Sequence, residues 1–176
     1  MALYTTKHKI GSERIFEGSI FSVRRDSLSQ SERTITREVV EHNGGVVIAC
    51  QPEPNKIILI KQYRYPIDEE LIELPAGRVE LGEDRLLAAK RELTEETGYL
   101  AKDWSDLGHM FSAPGFCSEL LSFYLAKDLE WSGKNLDEDE ETDVLIVDLE
   151  EAWSWARAGK IRDAKTVAAL GLVIHK

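Results

Sequence analysis

Apolar and polar residues recur with definite periods along most of the chain, and the periods predict its elements. Residues 1–12 carry no such signal and are expected to be partly disordered. Over 14–24, Ile15, Phe16, Ile20, Phe21 and Val23 suggest a strand interrupted at Gly18. Residues 27–32 read as a polar turn, and 33–42, alternating and rich in β-branched side chains, as a second strand. After the tight-turn signal Asn43-Gly44-Gly45, strands are expected at 46–50 and 56–62, split by a turn at Pro52 and Pro54. Arg64 is left near a strand end. Then come a loop (66–70), a short strand (71–74), a turn at Pro75-Ala76-Gly77 and a helix of about four turns. Beyond it, 104–112 reads as loop then strand, broken by Ala113-Pro114-Gly115, and 119–126 as strand. Residues 129–142 form a long acidic loop, 143–148 a strand, and 150–158 and 164–174 two helices. The pattern is α/β: one domain of α/β/α type with an N-terminal β-hairpin appendage. Residues 1–42 are expected to be a dimerisation element and 43–176 the main domain, because an exposed hairpin edge needs a partner and the same hairpin of a second subunit is the simplest.

The helix organises the rest. It is entered through Gly82-Glu83-Asp84 and stopped by Gly98, a C-terminal cap. Leu86, Ala89, Lys90, Leu93 and Thr97 fall on one buried stripe, Lys90 as a snorkelling lysine. Glu92, Glu95 and Glu96 crowd its flank. Glu92 and Glu96 are like charges at i, i+4, which costs about 0.2–0.5 kcal/mol. Glu95 and Glu96 also sit at the helix C-terminus, where the macrodipole disfavours each acid by roughly 0.3–1 kcal/mol. Arg91 alone is placed to offset them locally. Acids so misplaced for helix stability are explained by a bound cation. Carboxylates without His or Cys select a hard ion, Mg²⁺ or Mn²⁺.

Composition narrows the function. At 176 residues and 43% hydrophobic, the chain can bury one real core. A net charge of −10 argues against a nucleic-acid backbone binder. No apolar run is long enough to span a membrane and no signal core opens the chain, so a cytoplasmic location is expected. Cys50 and Cys117 have no metal-like spacing and do not suggest a disulfide scaffold.

Gly77, Glu83, Arg91, Glu92, Leu93, Glu95, Glu96 and Gly98 match the Nudix box, G-x5-E-x7-R-E-U-x-E-E-x-G-U, with U a bulky aliphatic residue. Tyr99 departs from the last aliphatic position, which should alter packing behind the helix rather than metal chemistry. Over nearly its whole length the chain resembles the ADP-ribose pyrophosphatase branch of Nudix hydrolases. The signs are KQYR, ELPAG, APG with Glu119 beyond it, the DEDE loop and EEAWSWARAGKI.

The resemblance implies an α/β/α sandwich on a mixed sheet, and Mg²⁺-dependent hydrolysis (with Mn²⁺ able to substitute) of ADP-ribose or a related nucleoside diphosphate sugar by a homodimer. The metal ligands implied are Glu92, Glu96, the Ala76 carbonyl and Glu140. Glu138 matches the proposed general base, with Glu140 or Glu141 able to replace it in so acidic a run. Glu95 is expected to support the cluster through Arg91 or a second metal. Arg64 resembles an arginine that grips the ligand, Arg37 one donated across the dimer, Glu119 an acceptor for the distal ribose, and Pro114 the marker proline beyond the box. The aromatic that stacks on the base aligns with Ile20 instead of Phe21. Trp104, Trp153 and Trp155 are expected to pack, as is Trp131, which lies where it could also reach a ligand. GDP-mannose, dinucleoside polyphosphates or coenzyme A are alternative substrates, and a non-catalytic nucleotide-sugar sensor is the alternative of another class.

Overall fold

A computed structural model describes residues 3–133 and 142–174. The described residues fall into two compact units, one within 1–44 and 111–120, the other within 45–110 and 121–176.

The first unit is a three-stranded antiparallel sheet in the order β1 (Lys9–Glu17), β2 (Ser22–Gln30), β3 (Arg33–Glu41). The strand expected over 14–24 is therefore two strands about a reversal, where the Gly18 N–H donates to the Phe21 carbonyl (3.1 Å). The expected turn at 27–32 lies mostly inside β2, and the real turn is Ser31-Glu32, both at positive φ (49° and 67°). That two-residue left-handed turn suits the twist of a hairpin. The polar run misled because Ser27 and Ser29 alternate with buried Leu28, the mark of a half-solvated strand. Order also begins earlier than expected, since β1 starts at Lys9 and is exposed along its whole length. The 111–120 segment belongs here because it bonds to β3: Val40 donates to the Phe116 carbonyl (2.8 Å) and accepts from Ser118 N–H (2.9 Å).

The second unit is built on a seven-stranded mixed sheet. Its strands are β4 (Gly45–Cys50), β5 (Lys56–Arg64), β6 (Glu69–Glu73), β7 (Ala76–Arg78), β8 (Tyr99–Phe111), β9 (Leu120–Trp131) and β10 (Thr142–Asp148). The main order is β10-β5-β4-β9-β8, with β6 on β5 and β7 on β4. The β4–β9 pair is parallel, while β5 runs antiparallel to β10, β4 and β6.

Every residue of β4 is buried, and its period of two feeds two cores. Val47 and Ala49 pack with Leu149, Ala152, Ala169 and Leu170 of α2 (Leu149–Arg157) and α3 (Ala164–Ile174). Val46, Ile48 and Cys50 pack with Ala88, Ala89 and Leu93 of α1 (Arg85–Thr97). Helices thus cover both faces of the sheet, the sandwich expected. Against expectation, Pro75-Ala76-Gly77 leads into a short strand, because β7 can pair with the end of β4. The segment after α1 is extended from Tyr99 onward, and β9 continues through Trp131.

Candidate metal and diphosphate site

Helix α1 is fixed at both ends. The Asp84 Oδ1 accepts from the N–H groups of Leu86 (3.0 Å) and Leu87 (3.1 Å), and Gly98 closes the helix at φ 77° with its N–H on the Thr94 carbonyl (2.9 Å). Ala88, Ala89, Leu93 and Thr97 are buried, but Lys90 is exposed rather than laid along the stripe. The face turns slightly further than expected and takes Glu96 inward, to 1% exposure.

That rotation brings two acids onto β7. The Glu96 Oε2 accepts from the Ala76 N–H at 2.9 Å. The Glu92 carboxyl lies so close to Gly77 that a Cβ there would stand 1.9 Å from Cδ. Only glycine admits this approach. Arg91 ties Glu92 to the other two acids: Nε and Nη2 donate to Glu83 (3.1 and 3.2 Å), and Nη1 to Glu92 (2.8 Å) and Glu95 (3.0 Å). The Glu83 bond, before the other contacts, raises the Arg91 pKa and lowers that of Glu83. Glu83, Glu92, Glu95 and Glu96 set four negative charges against the single positive charge of Arg91. This is an all-oxygen donor set with surplus negative charge, which fits a hard divalent ion. Among the described residues, no three His, Cys, Asp or Glu side chains form a group that could hold an ion by themselves.

Arg64, at the end of β5, is half-buried and clasped by Glu73, Nε to Oε1 and Nη2 to Oε2, both at 2.7 Å. This carboxylate was missed in the sequence, where its signal was an acid inside the apolar run LIEL.

The other anticipated residues lie in the first unit or outside the described residues. Arg37 is exposed on β3, its Nη1 donating to the Thr36 carbonyl (2.9 Å). Glu119 has its Oε1 3.4 Å from the His42 Nδ1, and that nitrogen accepts from the Gly44 N–H (3.0 Å). Pro114 is exposed in a turn where Phe116 and Cys117 both donate to the Ala113 carbonyl (3.1 and 2.9 Å). Glu138, Glu140 and Glu141 lie outside the described residues.

Tyr99 packs behind the helix and meets Trp131 edge-on at 5.2 Å, and Trp104 meets Tyr124 at 6.2 Å. Trp153 and Trp155 lie against the α2–α3 core. Cys50 and Cys117 are free thiols.

Residues 41–170 match the NUDIX domain family model. The chain is 37% identical over 164 residues to the methanol dehydrogenase activator of Bacillus methanolicus, covering 92% of this chain and 89% of that protein. It is 35% identical over 164 residues, with the same coverage, to the ADP-ribose pyrophosphatase of Bacillus subtilis (strain 168). In fold it is similar to the crystal structure of an ADP compounds hydrolase (TM-score 0.85, 24% identity, 99% of this chain and 94% of the other). The box residues gathered at β7 and the match over most of the length agree: the chain belongs to the NUDIX domain family.

Proposed function

We propose that the protein is a Mg²⁺-dependent pyrophosphatase that hydrolyses ADP-ribose or a related nucleoside diphosphate sugar to a nucleoside monophosphate and a sugar phosphate. One observation carries the reading: Glu92 and Glu96, a turn apart on α1, both meet β7 at Ala76-Gly77. Enzymes of this family are in general divalent-metal dependent. Glu92, Glu96 and the Ala76 carbonyl would hold the ion, with Glu140 completing the set. When bound, such an ion offsets diphosphate charge and makes water more acidic.

The chain's own residues supply the rest. Arg64 binds diphosphate oxygens through a planar fork of donors, which lysine does not reproduce. Glu138 takes the proton of the attacking water, and Glu95 steadies Arg91. Glu119 accepts from the distal ribose, Pro114 shapes the turn before it, and Arg37 reaches the ligand of a partner subunit in a homodimer.

The test is hydrolysis of a panel (ADP-ribose, GDP-mannose, dinucleoside polyphosphates, coenzyme A) with Mg²⁺, scored by released monophosphate. ADP-ribose or another nucleotide sugar should be the best substrate, and uniformly poor turnover of the sugars would refute the reading. The resemblance to a dehydrogenase activator supports a second reading, that the protein raises the activity of a methanol dehydrogenase. Adding it to that enzyme should then accelerate alcohol oxidation, and an unchanged rate removes this reading.

A further inference from the structure

Glu73, at the end of β6, is buried to 1% exposure and yet fully engaged. Arg64 takes both its oxygens side-on at 2.7 Å, and Lys165 on α3 bonds Oε2 as well. Lys165 also pairs with Asp163 at 3.0 Å. Asp163 Oδ2 in turn accepts from the Thr166 N–H (3.0 Å) and hydroxyl (2.6 Å), and the Leu74 N–H donates to the Thr166 Oγ1 (2.8 Å). The end of β5, the end of β6 and the first turn of α3 are thereby tied at one point.

Burial pushes the Glu73 carboxyl up, but the hydrogen bonds and charges of Arg64 and Lys165 outweigh it and hold the group below its ordinary value. Arg64, Lys165, Glu73 and Asp163 sum to zero charge. The network therefore adds nothing to anion affinity through net charge. What it supplies is direction: with Nε and Nη2 committed to Glu73, the guanidinium has one edge fixed, and its Nη1 meets no acceptor among the described residues.

We propose that Glu73 is a positioning residue for phosphate capture, holding Arg64 by one edge so that the other meets the substrate diphosphate. This rests on Arg64 being the phosphate-binding arginine of the proposed reaction. Lys165 and Asp163 keep Glu73 in register from α3, so the helix start is part of the same device.

Steady-state hydrolysis of ADP-ribose with Mg²⁺ tests it in the full-length protein. Glu73→Gln should raise KM about tenfold and leave kcat within about twofold, the signature of lost binding that is equal in ground and transition states. Arg64→Lys should raise KM at least as much, and adding Glu73→Gln to Arg64→Lys should change KM by less than about twofold, because residues acting through one group are not additive. A Glu73→Gln effect that multiplies in full in the double variant, or an unchanged KM in Glu73→Gln alone, overturns the positioning role. An unchanged KM in Arg64→Lys overturns the phosphate role of Arg64 itself, and that single variant tells the two failures apart.

Should Glu73→Gln not fold, Arg64→Ala serves, since Lys165 still bonds Glu73 there. Added guanidinium ion should lower its KM by about fivefold or more and methylammonium should not, because only the planar fork spans both carboxylate oxygens. Equal rescue by the two ions, or by neither, overturns the proposal.

Discussion

Gly77 shows at a single residue how the site depends on missing atoms. With a Cβ 1.9 Å from the Glu92 Cδ, Gly77→Ala must displace the glutamate or β7. A displacement of about 1 Å at a reacting site can cost roughly 10²-fold, so kcat/KM for ADP-ribose should fall by about that factor. Circular dichroism should still show a folded protein, and activity within twofold of the parent would mean that the approach of Glu92 to β7 is irrelevant to catalysis. Glu96→Gln is the complementary test. The amide can still accept from Ala76 N–H, so the fold should persist while turnover at saturating Mg²⁺ is lost. Full activity in that variant would remove Glu96 from the metal set. Both glutamates were legible as a spacing on a helix. That they meet at Ala76-Gly77 was not, because the contact depends on how far α1 is rotated on the sheet.

At the scale of elements, α1 is the part the sequence describes best. Its apolar period, the acceptor at Asp84 and the glycine at 98 each act within one or two turns, so local chemistry suffices to define it. Asp84→Ala removes an acceptor shared by two N–H groups and should cost about 1 kcal/mol, read from urea unfolding. The KM should not move, since Asp84 is not among the acids on Arg91 or β7, and a change in KM without loss of stability would contradict a capping role. Strands were harder to place. The 27–32 run is polar because one face of β2 is solvated, and 14–24 hid a reversal because Ile15, Phe16, Ile20 and Phe21 stay exposed on both sides of it. A strand's identity depends on its neighbours, and these neighbours are supplied by distant parts of the chain.

For the whole molecule, the buried ion network sets an acid limit. Glu73 has a folded pKa below its ordinary value, so its contribution to stability is fully present above the unfolded pKa of about 4.3 and is lost as pH falls through the depressed folded value. Thermal denaturation should therefore give a Tm that is flat from neutrality down to about pH 5 and falls below that, and Glu73→Gln should flatten the fall. An identical acid slope in the variant would show that other carboxylates govern it.

Assembly is the second property at this scale. β1 is exposed along its length and carries Ile10, Ile15 and Phe16 at 66%, 45% and 49% exposure, an apolar edge of the kind that pairs with another chain. The intact protein should scatter light as a dimer, and deletion of residues 1–42 should give a monomer with poor substrate affinity. A monomeric full-length protein would remove the cross-subunit role proposed for Arg37. No helix among the described residues is long and apolar enough to cross a membrane.

Residue order alone determined the helix with its caps, the acids placed against helix stability, the oxygen-only donor set and the alternation of strands and helices. Each follows from residues within a few positions of one another. Tertiary structure decided what distance in sequence conceals. Glu73 and Leu74 each bond across 92 residues, to Lys165 and Thr166, in one buried network, and β7 pairs with β4 some 30 residues before it, where Glu92 and Glu96 come to rest. Such contacts form only when the two cores close on the sheet, because a buried acid needs partners that arrive from another part of the chain.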